Sequence, residues 1–213
     1  MRTNITRVLC FLALIAAPVL LAFAAGGGAK PAGTHPCCHK QLEAAAPLPD
    51  RSIYQVESKW SNDASNTVSL SSLRGKPQIV AMFFAQCQFT CPIFVHSMKQ
   101  IEAELPENVR TNVGFLLVSF DSERDTPQAL ARYRQTHQLG PHWTLLKGDP
   151  DDVLELSALL GVKFKQDPSG NFAHSNLITL LNAEGEIAFQ EIGINRDPLP
   201  MINAAQKLLS NGK

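Results

Sequence analysis

The groups best placed to do chemistry are Cys87 and Cys91, in the run Ala85-Gln86-Cys87-Gln88-Phe89-Thr90-Cys91-Pro92. Thiolates serve as nucleophiles, redox centres and soft metal ligands. Three residues separate this pair, where the thioredoxin-type redox motif has two. On a helix an i, i+4 pair lies on one face, and in a loop it spans more widely than C-x-x-C. Either geometry lets two sulfurs converge on one ion, and a nearby helix N-terminus would favour the thiolates. Two thiolates leave a metal under-coordinated. One imidazole added to them makes a set that suits copper better than zinc, which takes four ligands in structural sites. His96, five residues past Cys91, would point more than a quarter-turn away on a helix. His137 and His142 flank a turn that ends a helix and read as solvated, and His174 follows the loop Pro168-Ser169-Gly170-Asn171. On the residues alone, the choice among these histidines stays open.

The same two cysteines support a different chemistry. A dithiol that cycles to a disulfide would make the chain a thiol–disulfide oxidoreductase with Cys87 and Cys91 as its catalytic residues. The two roles exclude each other at any instant, because a disulfide removes two ligands. A peroxidase would need an Arg near one thiol, and the motif has none. A second cluster, His35-Pro36-Cys37-Cys38-His39, offers two thiols and two imidazoles within five residues. Adjacent cysteines pair with each other only under strain, so the cluster either captures copper or pairs with another chain, or its cysteines are incidental or oxidised ones in a disordered linker.

These side chains need a frame. The run 78–84 (QIVAMFF) is almost wholly apolar, as a strand buried on both faces must be, and it leads directly into the cysteine motif. Apolar residues at helical spacing then fill 93–105, and Pro106 stops them. A second buried strand is expected over 113–120, a helix over 127–137 opened by Thr126-Pro127, a third strand over 143–146, and a helix over 149–161 ended by Gly161. A hairpin follows over 176–181 and 186–189, with Asn182-Ala183-Glu184-Gly185 as its turn and His174 at its entrance. A helix over 202–209 comes last, and a short strand over 68–70 precedes them all. This order predicts an α/β fold of thioredoxin-like type, a central mixed sheet with helices on both faces. The cysteines lie where open α/β sheets place their sites, beyond the carboxyl end of a core strand. Residues 121–126 read as a solvated turn with an Asp125 or Thr126 helix cap. Phe89 and Phe94 read as packing residues that shield the site.

The wider composition fits an exported domain. At 45% hydrophobic and 18% charged, the chain can bury a sizeable core. Lys+Arg and Asp+Glu each number 19, so nothing argues for nucleic acid as a partner. Arg2 and Arg7 flank the start of an apolar run over 8–25, and Ala22-Phe23-Ala24 fits a secretory cleavage site. The run also reaches the length of the shortest membrane spans. Residues 1–25 are therefore expected to be a signal peptide or a retained membrane anchor, 26–51 a flexible tether, and 52–213 the folded domain. Either version of the first segment sends the domain to the periplasm or to the outer face of the inner membrane.

The chain resembles the SCO/SenC family of copper-binding thioredoxin-fold proteins that help assemble cytochrome c oxidase. The likeness rests on the strand ending in Phe83-Phe84, the C-x-x-x-C-P motif, Val118-Ser119-Phe120-Asp121-Ser122-Glu123-Arg124-Asp125-Thr126-Pro127 and His174-Ser175. It implies that Cys87, Cys91 and His174 are copper ligands and that the chain is a metallochaperone. The implied partners are a copper-receiving oxidase subunit or another copper-site client, and an upstream copper donor. The sequence departs from the family inside the motif, where Gln88-Phe89-Thr90 replaces a frequent Pro-Asp, and at Phe84, where Gly and Thr are common nearby.

Overall fold

A strand with no polar face needs cover on both sides, and the architecture follows from three such strands. The structure, a computed structural model, describes residues 47–87 and 90–211. In chain order the strands and helices are β1 (Trp60–Asn62), β2 (Thr67–Val68), β3 (Gln78–Phe83), α1 (Thr90–Glu104), α2 (Glu107–Arg110), β4 (Gly114–Ser119) and α3 (Pro127–His137). They continue as β5 (Trp143–Lys147), α4 (Pro150–Leu160), β6 (Phe164–Gln166), β7 (Phe172–His174), β8 (Leu177–Leu181), β9 (Ile187–Ile192) and α5 (Leu199–Asn211). Every residue of β3, β4 and β8 is buried. Seven strands form one sheet in the order β2-β1-β5-β4-β3-β8-β9. β3, β4 and β5 run parallel, and β8 joins β3 antiparallel. The sheet is mixed and thioredoxin-like, as expected.

Helices cover both faces. Gln190 of β9 donates to the Leu160 carbonyl at the end of α4 and to Thr179 Oγ1. Its neighbour Glu191 lies instead with Ser97 and Ile101 of α1. Successive strand residues face opposite ways, so α1 and α4 lie on opposite sides. The helix ends match their sequence signals. Thr126 accepts from Ala129 N at 3.2 Å ahead of Pro127, and Gly161 closes α4 at φ +73°.

Several elements differ from expectation. The strand placed at 68–70 is shorter: β2 ends at Val68, and Leu70–Leu73 is a 3-10 turn with Leu70 fully buried. α1 starts at Thr90, so Cys91 and Pro92 lie inside its first turn. Pro is tolerated there because first-turn N–H groups have no intrahelical acceptor. β1 and the β6–β7 ribbon, a separate two-stranded sheet, had no sequence signal, since three residues give too little alternation to read. His174 ends β7, just ahead of the β8–β9 hairpin. Among the described residues no helix is long and apolar enough to cross a membrane. The apolar run 8–25 and the cluster of His35, Cys37, Cys38 and His39 lie outside the described residues, as does Phe89.

Candidate metal centre

The end of β3 delivers the first cysteine. The chain turns after Phe84, with Cys87 N donating to the Phe84 carbonyl at 3.2 Å. The turn is pinned by Asp125, a fully buried residue whose Oδ2 accepts from Ala85 N at 2.8 Å and from Ser119 Oγ at 2.5 Å. Burial pushes the Asp125 carboxyl above the ordinary range, and its bonds from Ser119 and Ala85 partly offset this. Asp125 is thus a brace for the cysteine loop, while Thr126 alone caps α3.

α1 carries the second cysteine. Cys91 N donates to Cys87 Sγ at 3.3 Å, so a backbone amide of the helix start faces the first sulfur. Cys87 is half-buried and Cys91 has no exposed surface. Burial raises the Cys91 thiol far above the ordinary range; a backbone hydrogen bond at Phe84 opposes the shift, and Cys87 and Asp125 add to it. No disulfide joins them.

His174 arrives from β7. Its Nδ1 lies 3.1 Å from the Ser175 carbonyl, which can only accept, so Nδ1 carries the proton. Nε2 faces the site, 3.9 Å from Cys91 Sγ and 3.0 Å from Thr90 Oγ1. That is the second-atom arrangement by which proteins orient a metal-binding imidazole. The ligand atoms of Cys87, Cys91 and His174 lie within 4.8 Å of one another, and they form the one such group among the described residues. Two thiols and an oriented imidazole fit a soft or borderline metal such as copper.

The other histidines stay apart. His96 is exposed on α1, outside the group. His137 is half-buried with its ring 4.1 Å from that of Tyr133, and His142 is half-buried before β5, so neither is as solvated as the sequence suggested. Phe94 is buried with its ring 6.1 Å from that of His174, as a shielding residue would be. Phe120 packs against His174 at 5.2 Å and also stacks on Phe164. A groove of about 240 Å³ opens beside them, lined by Phe120, Phe164, Phe172, Val153 and Glu123. Sequence reasoning missed Thr90 as part of the site, although its hydroxyl lies between Cys87 Sγ, at 3.7 Å, and His174 Nε2. Its position three residues after Cys87, at a helix start, was the available signal.

Comparison with known proteins bears on the fold and the family. The SCO1 protein homolog of Bacillus subtilis (strain 168) is 26% identical over 151 residues, 68% of this chain and 77% of that one. The copper-bound ScoI of Arabidopsis thaliana shares the fold with a TM-score of 0.64 at 21% identity, over 72% of this chain and 96% of its own. BsSco, a member of the Sco family of cytochrome c oxidase assembly proteins in which a disulfide switch was identified, gives 0.62 at 21% identity, over 71% and 91%. The SCO1/SenC profile matches residues 50–210, a span that holds both cysteines, His174 and the loop that braces them. This chain belongs to the SCO1/SenC family.

Proposed function

We propose that this protein is an exported copper chaperone that carries copper on Cys87, Cys91 and His174 and delivers it to an oxidase copper centre. The observation that supports this most is His174 Nε2, turned toward Cys91 Sγ at 3.9 Å while Nδ1 lies 3.1 Å from the Ser175 carbonyl. Simple dithiol chemistry has no need of that imidazole. Copper would supply a cargo held by soft ligands, and the protein's part is to hold three donors together, partly shielded from water by Phe94 and Phe120. Half-exposed Cys87 gives a client's own ligands a place to begin replacing them. Export rests on the run 8–25 with its Ala22-Phe23-Ala24 site, and it would put the domain in the periplasm or on the outer face of the inner membrane.

A dithiol role has one specific observation in its favour, the contrast between half-buried Cys87 and buried Cys91. Cys87 thiolate would attack a client disulfide and form a mixed disulfide. Cys91 would then displace the client as a dithiol, leaving Cys87–Cys91 oxidised until an external thiol reductant restores it. Mixing copper-loaded protein with the copper-free soluble domain of an oxidase copper-centre subunit separates the two readings. The chaperone reading expects copper to move to the subunit with Cys87 and Cys91 still reduced. Retention of the copper, together with turnover of a disulfide client that persists in His174→Ala, would favour the oxidoreductase.

A further inference from the structure

His174 ends a ribbon that lies outside the main sheet and joins it only from Leu177 on. β6 and β7 pair only with each other, in the register Phe164↔His174 and Gln166↔Phe172, as a ribbon outside the seven-stranded sheet. Both cysteines belong to the core layer, at the end of β3 and in α1. The distance between sulfurs and imidazole therefore depends on what ties the ribbon to the body. Aromatic packing of Phe164 and Phe172 on Phe120 supplies one tie, but apolar contact is non-directional.

Arg124 supplies a directional one. Its Nη2 donates to the Gly170 carbonyl in the ribbon's turn, 46 residues along the chain. Its Nε donates to Asp121 Oδ2 at 2.5 Å, and Asp121 is only 3% exposed. Its Cζ lies 5.7 Å from the ring centroid of Phe172, two residues before His174. Gly170 lies in that turn at φ +84°, with Arg124 Nη1 2.8 Å from where a Cβ would stand. The same loop holds the other half of the site, because Asp125 grips Ala85 N ahead of Cys87. An ion pair with Asp121 alone would be an ordinary i, i+3 contact; the reach to Gly170 and Phe172 is not needed for it.

We propose that Arg124 is a positioning residue that holds the β6–β7 ribbon, and with it His174, against the two cysteines. The inference rests on the copper site proposed above. Without Arg124 the ribbon loosens, the imidazole leaves, and two thiolates remain. Such a pair still suits Cu(I), whereas Cu(II) loses its nitrogen donor.

Arg124→Ala is compared with the wild type in full-length protein. The first readout is amide hydrogen exchange without metal: exchange over 164–174 is expected to accelerate about tenfold while β3 and β4 keep their protection. The second is copper binding under anaerobic conditions. Cu(II) affinity is expected to fall about tenfold, with loss of histidine nitrogen coupling in the EPR spectrum, and Cu(I) affinity to change less than about threefold. Arg124→Lys, which cannot bridge Asp121 and Gly170 together, is expected to fall between. Unchanged exchange in the ribbon would overturn the proposal even if the wild type bound no copper, a result that would sink only the copper reading. Equal loss of Cu(I) and Cu(II), or loss of protection throughout the core, would also overturn it by showing general destabilisation.

Discussion

At the scale of the residue, the two sulfurs are unequal. Cys91 is buried and its thiol is held far above the ordinary range, so it is protonated at neutral pH; Cys87 is half-buried. A metal ligand must be a thiolate, so binding releases the Cys91 proton. A thiol held that high gives up a full proton to the metal throughout the neutral range, so copper affinity should increase with pH. The expected slope is at least about tenfold per pH unit, the amount the Cys91 proton alone gives, between about pH 6 and pH 8. Competition titrations across that range check it, and a flat profile would show that Cys91 is not a ligand. The cysteine pair was legible from spacing alone. The histidine was not, because 83 residues separate it from Cys91 and only the fold brings them together. The family likeness nominated it, and the geometry places it beside both sulfurs.

At the scale of the element, the loop between β4 and α3 is the brace of the site. Asp125→Ala leaves Ala85 N and Ser119 Oγ without their acceptor in a buried place. The expected loss is about 2–4 kcal/mol of folding stability, read as a lower urea midpoint with an unchanged slope. Asp125→Asn keeps an acceptor oxygen of the same shape and should lose about 1 kcal/mol. Equal losses in the two variants would mean that the contact carries little and that the side chain acts only as filler. The long elements were readable because their apolar periods run over five or more residues and end at Pro, Gly or Thr-Pro signals. The start of α1 was placed three residues late, since Pro92 masks the helix pattern although first-turn positions accept it. The role of Asp125 was hidden by its position: beside Thr126-Pro127 it looks like a cap, and its partners lie on β4 and in the cysteine loop.

At the scale of the molecule, β3, β4 and β8 form a core that sets where α1 begins and so where the sulfurs stand. Leu117 in β4 is fully buried. Leu117→Ala should lose about 3 kcal/mol and lower Tm by roughly 10 °C, while copper stoichiometry at low temperature stays that of the wild type. A core variant that still folded but bound no copper would show that the site depends on more than the local brace. The buried strands announced the mixed sheet, whereas β1 and the β6–β7 ribbon are too short and polar to be read without their partners. The central claim concerns three donors acting together, and copper titration of the wild type and His174→Ala, followed by absorption and EPR spectra, tests it most directly. The wild type should take up about one equivalent per chain with sulfur and nitrogen ligation, and His174→Ala should bind Cu(II) at least about tenfold more weakly without the nitrogen signature. A wild type that binds no copper, or a His174→Ala protein with unchanged affinity and spectrum, would contradict the account.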